Sequence, residues 1–366
     1  MQKDRIAVFD AARGFTMLIM PAVHSVMLYS NTQVQQGIMG KVLAFLAEGP
    51  GAQLFLLLMG VSINLSRPGT SQQVLSRALS LFGLAYLLNF LKLVMPISLG
   101  IMPVTFLYDA GFSADDTGML HALFMGDILQ TAAIGYLVCG MLARMPKFQA
   151  QAIILTITII ACSPLLWQHG PASSLWMLTS LFTGKAPYSF FPVFPWISYP
   201  LAGLVTGSYF KSCRNAHRFF LYTLSIGFMM LVAGKIITRF EPAAWNVSFY
   251  RTGIGGTLCH LGIVLMWLFL CDLLVTISRH NFFIRFLAWL SRHITLVYFV
   301  QWITVLWLLP VYQYHALDIW QSVFALITNS ALSFGITFLL IRIWDTLLKQ
   351  PVCGKSAARK SAAGSK

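Results

Sequence analysis

A chain of 366 residues that is 57% hydrophobic and only 10% charged does not have the composition of a soluble domain, in which about 25% of residues are charged. Its formal charge of +14 comes from basic residues set singly or in small groups between apolar runs, which excludes a nucleic-acid-binding patch. Aromatic residues make up 14% of the chain, as expected where Trp and Tyr line both membrane interfaces.

The opening MQKDRIAVFDAARGF carries an acidic residue in its basic region and leads into an apolar run with no small-residue cleavage site after it. It is therefore read as a retained first helix, not a removed leader. Apolar runs long enough for a membrane helix of roughly 20 residues begin near Phe15, Gly51, Val74, His121, Gln151, Phe190, Phe219, Gly256, Ile294 and Val323. Lys and Arg alternate between the intervening loops. Lys3, Arg5 and Arg13, then Arg67 and Arg77, Arg144 and Lys147, Lys211, Arg214 and Arg218, Arg279, Arg285 and Arg292, and the basic C-terminus all fall on one side. The opposite loops hold only Lys41, Lys185, Arg239 and Arg251. Basic residues stay cytoplasmic, so the expected fold is an all-α integral membrane protein of about ten transmembrane helices with both termini in the cytoplasm. Residues 1–350 form one polytopic domain, and residues 351–366, basic and rich in Ser, Ala and Gly, form a disordered tail. The six Cys show neither a zinc spacing nor a secreted disulfide framework, and the eight His show no metal-ligand spacing. No metal is expected.

Ionisable residues within a span are costly and mark functional sites. Arg13 and His24, eleven residues apart, share a helix face about 16 Å apart along the axis. Asp10 stands one turn before Arg13 and can pair with it. Pro21 removes a backbone donor and is expected to kink the helix beside His24. Two readings are open: Arg13 as an interface anchor with His24 as an interhelical hydrogen bonder, or both as a working site.

The stretch DAARGFTMLIMPAVH resembles the first span of the membrane acyltransferase superfamily, whose pattern is Arg, ten residues, His. AQLFLLLMGVSI, GDILQTAAIGYLV, FPVFPWISYPLAGLVTG and WLSRHITLVYFVQW resemble, in order, later segments of its heparan-alpha-glucosaminide N-acetyltransferase-like branch, a relative of the acyltransferase-three O-acetyltransferases. The patches run from about Arg5 to Trp302. The glucosaminide enzymes carry their catalytic His beyond this position; here Ser25 to Ala47 contains none, which leaves His24 and favours the O-acetyltransferase chemistry.

The resemblance implies an acyltransferase that uses acetyl-CoA as donor from the cytoplasm and a hydroxyl or amine on a glycan or lipid-linked sugar as acceptor outside. Its setting would be a bacterial inner membrane, with the bilayer as partner and homo-oligomerisation left open. His24 would be the general base, and Arg13 and Arg77 would meet the CoA phosphates. Asp127, roughly 9 Å past His121 along a helix, either orients the His24 imidazole or pairs with Lys92. Gln130 either binds substrate or bridges helices. Trp196, among Pro192, Pro195 and Pro200, either packs on the pantetheine arm or sits at the interface, in a segment expected to be broken or re-entrant. Glu48, His121 and His260 are placed near the outer face, either meeting the acceptor or as interfacial polar residues. The competing readings are a solute or ion transporter using Lys92 and Asp127, and an inactive membrane scaffold.

Overall fold

The computed structural model describes residues 6–66, 69–112, 115–167, 176–184, 189–246, 248–278 and 281–349. Lys3, Arg5, Arg67, Lys185, Arg279, His280 and the tail from residue 351 lie outside them. The regular elements of the described residues are helices, and their only β-pairing is in isolated bridges.

α1 (Ala7–Tyr29) is buried along most of its length and runs through Pro21 without interruption. The short α2 (Thr32–Gln36) and α3 (Ile38–Glu48) lead over Gly49, Pro50 and Gly51 into α4 (Ala52–Ser66). α5 (Ser71–Asn89) starts in a capping box from Thr70 and Gln73 and passes through a π-helical turn, Phe90–Val94, into α6 (Met95–Ser98). α7 (Val104–Asp109), α8 (Asp116–Phe124), α9 (Ile128–Leu142), α10 (Phe148–Trp167), α11 (Trp176–Thr183), α12 (Val193–Trp196) and α13 (Ser198–Ser212) follow. α14 (Ala216–Thr238) and α15 (Ile254–Ile277) pack as a pair. α16 (Phe282–Arg292) meets α17 (Ile294–Trp307) at an 86° bend. α18 (Leu309–Tyr312) and the long α19 (Ile319–Lys349) complete the chain.

Each of the ten apolar runs carries a helix. Among the described residues, seven helices are long and apolar enough to cross a membrane, and an eighth results if α16 and α17 count as one span. The runs beginning at His121 and Phe190 are where the expected count of ten departs from this. Their main helices, α9 and α13, have 15 residues each, about 22 Å at 1.5 Å per residue, against a hydrocarbon core of about 30 Å. Both runs are broken. Between α8 and α9 the chain is extended at Met125 and Asp127. The Pro-rich segment leaves helical geometry at Phe194, just inside the turn that Pro192 caps, so the break expected there is present. The two breaks meet: Gly126 bridges Ser189, and the Phe190 N–H donates to the Gly126 carbonyl at 2.9 Å. Within a membrane, non-helical backbone persists only where protein or a cavity surrounds it. The basic stretch read as a loop after the eighth run is also more ordered than expected: Arg285 and Arg292 lie on α16, which buries Ile284, Leu287 and Leu290 against α1.

Helix pairs in a bilayer gain contact through small residues that let backbones approach. α4 and α13 cross at Gly60 and Gly203, where a Cβ would fall 1.9 Å from the Pro200 and Leu57 carbonyl oxygens respectively. Side-chain hydrogen bonds tie α19 to the end of α1: Asn329 Nδ2 donates to Ser25 Oγ, and the Ser30 hydroxyl donates to that of Ser322, each at 2.7 Å. α1 is thus held from all sides, which fixes where Arg13 and His24 stand.

Candidate active site

His24 is buried on α1. Its Nδ1 lies 2.9 Å from Oε1 of Gln301 on α17. With an amide oxygen facing it, Nδ1 carries the proton and donates, which leaves the Nε2 lone pair to accept. The next residue, Trp302, stacks on the imidazole with ring centroids 3.9 Å apart and planes 28° from parallel. Lys92, from the π-helical turn, holds its ammonium 4.4 Å from the Trp302 ring centroid and forms a buried ion pair with Asp127. Single π-turns recur at functional sites, and this one carries the cation of the cluster. His24, Trp302, Lys92 and Asp127 line one cavity of about 310 Å³, together with Glu48 and Tyr250 and otherwise almost wholly apolar walls.

The structure gives the contacts of the residues whose readings were left open. Asp127 does not hydrogen-bond His24; it takes the Lys92 pairing. Its second oxygen accepts the Ile128 N–H at 2.7 Å and caps α9. Gln130 neither reaches the cavity nor bridges helices. It closes that capping box, accepting the Asp127 N–H through Oε1 at 3.1 Å and donating from Nε2 to the Met125 carbonyl at 3.2 Å. The cause is local: the chain is extended before α9, so the orphan amides of the helix start need partners there.

Trp196 is buried and is not on the cavity wall. It is 1% exposed, donates from Nε1 to the Tyr250 carbonyl at 2.8 Å, and packs edge-on against Phe191 and Phe249. Since Phe191, Phe249 and Tyr250 do line the cavity, Trp196 backs the wall. Arg77 is exposed on α5 and donates to the Tyr136 hydroxyl at 3.3 Å; it is not part of the cavity. Of the outer-face candidates, only Glu48 lines the cavity. His260 hydrogen-bonds the Tyr199 hydroxyl at 3.2 Å instead, and His121 lies on α8.

Arg13 and Asp10 stand at the other end of α1 as expected, 3.7 Å apart. Arg13 donates to the Leu58 carbonyl at 3.1 Å and to the Ser62 hydroxyl, both on α4. Asp10 accepts from the Ser291 hydroxyl on α16 at 2.7 Å. The pair therefore joins α1 to two neighbours, and Arg13 keeps a side-chain exposure of 22%. Gln301 and Trp302 were not singled out by the sequence. They sit inside WLSRHITLVYFVQW, but their partner His24 is 277 positions away from Gln301, and no local spacing reports such a pair.

The described residues form an all-helical body with spans apolar enough for a membrane and a buried imidazole on a cavity wall. The chain belongs to the heparan-alpha-glucosaminide N-acetyltransferase catalytic family, whose model matches residues 5–236, well over half of its length. It is a membrane acetyltransferase of that family. The match covers His24, Lys92 and Asp127; Gln301 and Trp302 lie beyond it. Comparison with curated proteins gave no match, and neither did comparison with solved structures.

Proposed function

We propose that the protein transfers an acetyl group from acetyl-CoA, bound from the cytoplasmic side of a bacterial inner membrane, to a hydroxyl or amine of a glycan-type acceptor on the outer side. The observation that carries this reading is the His24–Gln301 contact at 2.9 Å on the wall of a cavity in a chain of this family. His24 Nε2 accepts the acceptor's proton as its oxygen or nitrogen bonds to the thioester carbonyl carbon. The tetrahedral intermediate collapses, the C–S bond breaks, and the imidazolium returns the proton to the departing sulfur, so CoA leaves as the thiol and His24 is restored as a base. Lys92 supplies a cation on the same wall for the transient oxyanion, while Asp127 balances it when the site is empty. At about 310 Å³ the cavity is at the small end for ligand pockets, so it takes the two reacting ends, with the nucleotide of CoA outside. The part-exposed Arg13 meets the CoA phosphates, and the alternation of Lys and Arg between loops supports the sidedness.

The test is release of free thiol when purified protein is given acetyl-CoA and a mixture of amino sugars and neutral sugars. Acceptor-dependent release with an acetylated product supports the reading. Acceptor binding with no thiol release, or solute uptake into vesicles without acetyl-CoA, contradicts it.

A further inference from the structure

We propose that the acceptor is membrane-borne: an amphiphile whose hydroxyl- or amine-bearing headgroup reacts at His24 while its apolar stem runs along α3 into the outer leaflet. This rests on the acyl-transfer reading above and adds the class of acceptor. Two walls of the cavity carry the inference. α3 presents Leu43, Ala44, Ala47 and Glu48 to the cavity, and its opposite face exposes Ile38 at 85%, Val42 and Phe45. α7 presents Phe106 to the cavity and exposes Val104 and Tyr108 at 80% and 84%. A helix apolar on both faces is stable in lipid, not in water. Lys41, exposed on α3, has the long stem that lets an ammonium reach headgroup phosphates from such a position. The walls between the cavity and its surroundings thus stand in the bilayer.

The interior agrees. Its polar groups are few, chiefly His24, Lys92, Asp127, Glu48, Gln35 and Tyr250, and the rest of the lining is aliphatic or aromatic. A free sugar carries a hydroxyl on nearly every carbon and would leave most of them without partners here, which is costly. A headgroup on an alkyl or prenyl stem needs polar contacts at one end only. Glu48 has no ion pair or side-chain hydrogen bond among the described residues, so its carboxylate is available to receive a headgroup hydroxyl or ammonium. As in the general reaction, the headgroup heteroatom bonds to the acetyl carbon, the C–S bond breaks, and CoA leaves as the thiol with the headgroup's proton.

The experiment uses the full chain in proteoliposomes with two probes of one headgroup: dodecyl glucosaminide, which enters the bilayer, and methyl glucosaminide, which stays in water. A dodecyl glucosaminide with a photoreactive diazirine in its chain reports occupancy independently of turnover. The expected result is labelling on α3 and α7 that unlabelled dodecyl glucosaminide competes away and the methyl compound does not. Thiol release should be about a hundredfold or more efficient with the dodecyl acceptor, as burial of several methylenes allows. Competed labelling on α3 and α7 without thiol release supports an amphiphile in the cavity and overturns the acyl-transfer reading instead. Equal turnover of the two acceptors overturns the membrane-borne acceptor and leaves acyl transfer standing. Labelling spread evenly over the outward faces of α10 and α14 also overturns it.

Discussion

Gln301 Oε1 faces His24 Nδ1 at 2.9 Å, and this single contact decides which imidazole nitrogen can act as a base. The proton goes to the side of the amide oxygen, and Nε2 is left with its lone pair. Gln301 works through His24 and is a positioning residue. Gln301→Ala should lower kcat by about fivefold to tenfold, the worth of one neutral hydrogen bond of about 1 kcal/mol. KM for acetyl-CoA should hold, because the contact is far from the nucleotide. Gln301→Glu restores an acceptor for the Nδ1 proton and should recover more of the rate than Gln301→Ala. A rise in KM with kcat unchanged in the alanine variant would contradict the positioning role.

The Lys92–Asp127 pair is buried on both sides. Removing one member strands a charge, at about 3–5 kcal/mol, whereas removing both can be nearly neutral. Asp127→Asn keeps an N-cap for α9 but leaves Lys92 unpaired, so it should lower the thermal midpoint in detergent and the yield in membranes. The double variant Lys92→Met/Asp127→Asn should recover most of that stability. Its turnover should stay low if Lys92 faces the oxyanion. Additive losses of stability in the double variant would show that the two residues do not act as a pair.

Gly203 leaves no room for a side chain against the Leu57 carbonyl. Gly203→Leu should separate α4 from α13 and prevent accumulation of folded protein. Gly83, whose Cβ would meet nothing within 4 Å, should accept Ala without loss and serves as the control. Fluorescence-detected size-exclusion chromatography of the two variants makes the comparison.

Sidedness rests on the loop charges. In a cysteine-free background, single cysteines at Lys147 and Arg214 should be protected from an impermeant thiol reagent applied outside, while one at Asp115 should react. Labelling of all three from the same side would contradict the expected orientation.

Much of the fold was legible because hydropathy over 20 residues reports whether a segment is apolar, and all ten apolar runs carry helices. Hydropathy does not report a break inside a run. Thus the interruption at Met125 and Gly126, made by an ordinary apolar residue and a glycine, went unseen, while the one at Pro192 and Pro195 was visible through proline. Arg285 and Arg292 have the look of loop charges because the helix that carries them is short and amphipathic, burying Ile284, Leu287 and Leu290 on one face. In the site, His24 stood out as an ionisable group in an apolar run, and Lys92 with Asp127 stood out for the same reason. Arg77, Gln130 and Trp196 drew attention by type, but each is held by a structural partner: Tyr136, the start of α9, and the Tyr250 carbonyl. Gln301 and Trp302 carry no charge, and their role exists only through a contact across 277 positions.

The most direct measurement is thiol release by His24→Ala, with CoA affinity determined by calorimetry on the same purified preparation. A base that acts only where the proton moves should be dispensable for binding, so CoA affinity should stay within about twofold while turnover falls by about a hundredfold or more. Full acetyl transfer by His24→Ala would contradict the assignment of His24 as the base.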